Sequence, residues 1–135
     1  MTDKIYWKVI TRDGRKSALA HRHGIGLEYP VGVPVIPKIP SSKLMVFNNR
    51  EIAESFAINN STLPTFDGGN DLIAVRCNIK MATGCSINEV LFLPNVLPKD
   101  VKYFWENPNS RYFSDHERIY VLIGTVFADE VTCLE

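Results

Sequence analysis

Near the start of the chain the apolar positions alternate, with Ile5, Trp7 and Val9 on one side and Tyr6, Lys8 and Ile10 on the other. A period of two marks a strand. The Asp13-Gly14 pair then supplies a turn, so the segment from about Lys4 to Ala20 is predicted to be an antiparallel hairpin whose returning arm carries Ser17 and Leu19. From Tyr29 to Pro40 the run YPVGVPVIPKIP contains four prolines, which remove backbone donors too often for a helix and imply an extended edge segment.

Leu44 to Phe47 is a short apolar run suited to a strand, and Asn48 is placed to cap a helix after it. Within NREIAESFA the apolar Ile52, Ala53, Phe56 and Ala57 share one helical face, leaving Arg50, Glu51, Glu54 and Ser55 outside. Pro64, Gly68 and Gly69 make residues 59–70 a loop. DLIAVRCNIKM, from Asp71 to Met81, returns to strand alternation, with Ile73, Val75, Cys77 and Ile79 opposite Arg76 and Asn78. A turn at Thr83-Gly84, a short strand from Asn88 to Leu93, a helical turn opened by Pro98, and one or two closing strands over 118–127 and 131–134 complete the reading. The sum is an α+β domain, mainly antiparallel sheet, with one short amphipathic helix at about 49–57 and a second short helix at about 98–105.

At 135 residues the chain fits one domain spanning 1–135 and is long enough to bury one core. Its 15 basic and 15 acidic residues cancel, so no global field draws in long nucleic acid or an anionic membrane, and any phosphate recognition must be local. The opening MTDKIYWKV lacks a signal-peptide apolar region, and no run reaches the roughly 18 apolar residues of a membrane span, which together imply a cytoplasmic protein. Cys77, Cys85 and Cys133 are an odd set without CxxC spacing and read as reduced structural thiols.

Recognition chemistry concentrates in Trp105 to Arg118 (WENPNSRYFSDHER), a polar and aromatic stretch followed directly by the apolar IYVLIGTVF. Arg111 and Arg118 flank Tyr112 and Phe113, with Asn107 and Asn109 just upstream. A guanidinium forks onto a phosphate, an aromatic ring stacks on a base, and an asparagine reads a base edge. These are the needs of a small nucleotide pocket, set against the simpler reading of a surface loop whose rings tuck back onto the sheet.

Other constellations carry less. His21 and His23 would share one face of a strand as half a metal site, without further ligands at recognisable spacing. Asp115-His116-Glu117 sets two carboxylates beside an imidazole, but consecutive residues rarely converge on one substrate atom, and a solvated turn accounts for them. The glycines of HGIG and Gly68-Gly69 make neither GxxxxGK[ST] nor GxGxxG. No metal, cofactor or catalytic set is therefore expected.

The order IYWKVITRDG, KSA, LEYPVG, a proline-rich connection, KLMVFNNREIAESFA and DLIAVRC resembles a pattern in small bacteriophage α+β proteins. In size and layout the chain is similar to the Thoeris anti-defence family of cyclic ADP-ribose sponges, over roughly Ile5 to Cys77. That resemblance implies a homo-oligomer acting in the host cytoplasm, which sequesters an immune signalling nucleotide at subunit interfaces without cleaving it. It assigns the phosphate contacts to arginines of the C-terminal third, here Arg111 and Arg118, with Phe113, Tyr112 and Asn109 completing the pocket. A sheet with so few helices also implies that a second subunit shields one face.

Two other readings stand beside it. One is a reduced ADP-ribosyltransferase-like enzyme using Arg12, Ser17 and Glu130, although ADEV departs from the closely spaced glutamate pair usual in such enzymes. The other is a protein-binding inhibitor or small interaction module that docks through the proline-rich edge at Tyr29 to Pro40.

Overall fold

The computed structural model describes residues 4–17, 27–38, 42–61, 71–82, 89–91, 98–107, 118–120 and 123–135. Within them lie six strands and two helices: β1 (Tyr6–Thr11), β2 (Leu44–Phe47), α1 (Arg50–Asn60), β3 (Leu72–Met81), β4 (Glu89–Leu91), α2 (Pro98–Glu106), β5 (Arg118–Tyr120) and β6 (Thr125–Cys133). The α+β class with mainly antiparallel pairing is what the alternation predicts.

Four of the strands close on one another in the order β1-β2-β6-β3, with β3 returning to β1, and every pairing is antiparallel. Closure follows from the length of β3, whose first half pairs with β1 from Leu72 to Cys77 and whose second half pairs with β6 from Cys77 to Met81. The inward residues Tyr6, Ile10, Leu44, Val46, Val75, Cys77, Ala128, Val131 and Cys133 form one buried cluster, so the barrel is filled by its own side chains. The sheet's inner face is thus covered from within the chain.

β4 and β5 pair separately, with Leu91 opposite Arg118. The predicted strand at 118–127 is accordingly two pieces, interrupted by the turn at Ile123-Gly124. Gly124 adopts φ +96, a conformation that L side chains rarely hold, and a Cβ there would lie 2.9 Å from Ile52 Cδ1.

At β6 the open choice between one closing strand and two is decided for the end of the chain. Residues 125–133 are one continuous strand, where the sequence pattern broke at 127 and resumed at 131. The pairing with β3 shifts between Lys80 and Met81, whose partners are Glu130 and Ala128, leaving Asp129 as an extra residue. Such a bulge reverses the alternation, so Ala128 before it and Val131 after it both point into the barrel. The carboxylate of Asp129 accepts from Lys43 Nζ at 2.8 Å.

The outer face of β1, β2 and β3 is covered by α1. Ala53 and Ala57 are buried there with Val9, Phe47 and Leu72, while Trp7, Ile52, Phe56 and Ala74 pack around them. The helix face is the one predicted, but the cap is Asn49, not Asn48: Asn49 Oδ1 accepts from the Ile52 N–H at 3.1 Å. Asn48 instead joins the turn, its N–H donating to Gly124 O at 2.8 Å. The helix also runs past Ala57 to Asn60, into the first two residues of the predicted loop.

α2 begins at Pro98, where a missing N–H costs a helix nothing. Phe104 is buried, and Trp105 meets the ring of Phe127 on β6 edge-on at 5.3 Å. No helix among the described residues is long and apolar enough to cross a membrane.

Candidate functional site

Two regions concentrate chemistry. The first is the predicted recognition segment, Trp105 to Arg118. Its leading end is fixed by α2: Trp105 stacks edge-on against Phe127, and the Asn107 N–H donates to the Tyr103 carbonyl at 2.9 Å while its side-chain amide donates to the same carbonyl at 3.2 Å. Asn107, grouped by sequence with the ligand-reading residues, is therefore occupied in closing the helix. Its trailing end enters β5, where the backbone of Arg118 pairs with Leu91. Asn109, Arg111, Tyr112 and Phe113 lie outside the described residues, as does the side chain of Arg118. So do His21, His23 and the Asp115-His116-Glu117 triplet.

The second region was not anticipated as a site. It lies inside the barrel, where β1, β3, β6 and the segment from Leu27 to Val35 meet. The hairpin turn brings Arg15 there at φ +50, with its Nε donating to Tyr29 O at 2.8 Å and its Nη2 donating to the main-chain oxygen of Glu135 at 2.6 Å. Residues 15–17 and 27–29 are laced by Ser17 N to Leu27 O and Tyr29 N to Arg15 O, both 2.8 Å. Ser17 Oγ accepts from the Leu27 N–H at 2.8 Å as well. The outcome is that Tyr29, only 1% exposed, is driven into the barrel end.

Lys8 sits between Tyr6 and Ile10 on the inward face of β1 and is 8% exposed. Its ammonium donates to Met45 O at 2.8 Å and lies 5.0 Å from the centroid of the Tyr29 ring. A buried charge must be matched, and here a carbonyl and a π-face do so. The Tyr29 hydroxyl, in contrast, is buried and has no hydrogen-bond partner among the described residues.

Beside these groups Cys77 and Cys133 are directly opposed across β3 and β6, both free and both buried. Burial pushes the Cys77 thiol up from 9.0 to about 12, with the neighbouring Cys133 adding to it and Lys8 opposing. Burial raises Cys133 too, against the charges of Arg15 and Lys8 and a hydrogen bond from Arg15. Both thiols are protonated at neutral pH, so neither acts as a nucleophile in the closed barrel. Sequence reasoning missed the pair because 56 positions separate its members, and the only signal was that each falls within a strand-like alternation.

The residues of the transferase-like reading do not converge. Arg12 Nε binds Asp71 Oδ2 at 2.7 Å at the start of β3, while Glu130 faces Lys80 near its other end, on the order of 25–30 Å away at ~3.3 Å per residue. Ser17 is held by Leu27 in the hairpin. Among the described residues no three His, Cys, Asp or Glu side chains gather to hold a metal.

The described residues form a small, filled, four-stranded antiparallel barrel with α1 packed on its outer face and α2 touching β6 through Trp105 and Phe127. No protein-family model, curated protein or solved structure matches the chain.

Proposed function

We propose that this chain is a non-catalytic binding protein that sequesters a small anionic nucleotide, of the cyclic nucleotide or ADP-ribose type, through Arg111, Arg118, Phe113, Tyr112 and Asn109. The reading extends to a homo-oligomer that acts as a viral counter-defence sponge in the host cytoplasm. The observation that carries it is the anchoring of the segment at both ends: Trp105 against Phe127 on one side and the β5 ladder at Arg118 on the other. A loop tied down at both ends loses less conformational freedom when it closes on a ligand, which favours binding.

The test is to incubate the full chain with cyclic ADP-ribose or a related cyclic nucleotide, remove free ligand, and release what is bound by heating. Retention and recovery of unaltered ligand is the expected result, with retention reduced at least tenfold in Arg111→Ala and Arg118→Ala. Altered ligand, or no retention, overturns the reading.

A second reading is favoured by a different observation. Val31, Val33 and Ile36 are exposed along the proline-rich segment, which bridges β6 at Val31 and Val35. An apolar edge of this kind suits docking of a protein partner or a second copy of the chain. Sedimentation of the purified protein separates the self-associating case, since a monomer mass excludes it.

A further inference from the structure

Cys77 and Cys133 are more than neighbours in a core. Leu134 N–H donates to Arg76 O at 2.8 Å, so the residues flanking the cysteines form the hydrogen-bonded pair of the ladder. Cys77 and Cys133 therefore occupy the non-hydrogen-bonded position, where facing Cα atoms approach to about 4.5 Å and side chains on one face come closest. That separation falls within the roughly 4.4–6.8 Å that a disulfide spans. Both side chains belong to the same inward-facing cluster, so they point the same way.

We infer that Cys77 and Cys133 form a reversible redox clasp, closing to a disulfide that staples β6 to β3 when the protein meets a peroxide-class oxidant. Cys133 reacts first, because it ends β6 whereas Cys77 lies in the middle of β3. The sulfurs are reached when the Leu134–Arg76 rung of the β3–β6 ladder parts together with the bond from the Gly32 N–H to the Cys133 carbonyl. The Cys133 sulfur attacks one peroxide oxygen: an S–O bond forms, the O–O bond breaks, and one water leaves, giving a sulfenic acid. The Cys77 sulfur then displaces the hydroxyl: the S–S bond forms, the S–O bond breaks, and a second water leaves. In sum two thiols give up two electrons and two protons, and one hydrogen peroxide becomes two waters. The clasp closes a loop of 55 intervening residues, which limits the unfolded chain strongly.

The experiment uses the full chain carrying Cys85→Ser, so that only this pair can react, treated with hydrogen peroxide in native buffer. Expected are a mass lower by about 2 Da, a peptide linking Cys77 to Cys133 within one chain, return of both thiols with dithiothreitol, and a thermal midpoint raised by roughly 5–10 °C in the oxidised form. The inference is overturned if both thiols remain free, if only sulfinic or sulfonic products appear, or if the link forms in urea but not in native buffer. A Cys77→Ala partner on the same Cys85→Ser background controls for folding: it should trap sulfenic acid at Cys133 under the same treatment, and an unreactive Cys133 there also counts against the clasp.

Discussion

The two faces of the barrel wall differ in kind. Outside, where α1 lies on β1, β2 and β3, the contact is an apolar cluster: Val9, Phe47, Ala53, Ala57 and Leu72, with Trp7, Ile52, Phe56 and Ala74 around them. Inside, aliphatic residues share the space with a lysine, a tyrosine whose hydroxyl has no partner, and two thiols. An apolar interface only has to be filled, and α1 does this with small residues that let the helix sit close and rings that fill the margin. A mixed interior has to be matched group by group, and it is left sensitive to pH and oxidant in ways the outer face is not.

The largest effect should come from breaking the outer face. Phe47→Ala removes a buried ring that stands 5.3 Å from Phe56 and leaves a cavity under the helix, for an expected loss of about 3–5 kcal/mol in urea unfolding. Next is the interior's response to alkali. The native thiol of Cys77 holds its proton up to about 12 while an unfolded one releases it near 9.0, so stability is intact below pH 9 and falls as pH rises toward 12. Urea melts at pH 7.5 and about 10.5 should show the wild type losing roughly 1–2 kcal/mol more than Cys77→Ala. Equal losses in the two proteins would show that the thiol does not govern this range.

Gly124→Ala should cost about 2 kcal/mol, since it forces a side chain into φ +96 and against Ile52 and Asn48, loosening the turn that feeds β6. The smallest effect distinguishes matched from unmatched polar groups inside. Tyr29→Phe deletes a hydroxyl with no partner and keeps the ring beneath Lys8, so stability should be unchanged or raised by about 1 kcal/mol. A clear loss would mean that this hydroxyl is satisfied in solution, and would make the interior wetter than the contrast with the helix face implies.

Much of this architecture was legible along the chain. The alternation of Tyr6 to Thr11 and of Leu72 to Met81 marks two of the barrel strands, the Ile52, Ala53, Phe56, Ala57 face marks α1, and Pro98 marks the first residue of α2. The proposed recognition segment stands out by composition alone, and its described ends were legible less well. Trp105 opens the segment and Asn107 sits beside its ligand-reading candidates, yet the Trp105 ring packs on Phe127 and Asn107 ends the helix. A lone aromatic or asparagine has the same identity whether it faces a ligand or the protein's own sheet, so only its neighbours distinguish the two.

What the sequence by itself determined is therefore periodicity: which short segments extend, which coil, and which face of each is apolar. Those properties depend on residues two to four positions apart. Tertiary structure alone decided that the sheet closes, that a bulge at Asp129 joins two apparent strands into β6, that Lys8 is an interior residue, and that Cys77 meets Cys133. Each of these depends on pairing between strands distant in the chain. The free energy of such pairing belongs to the register of the whole barrel and to no local stretch of it.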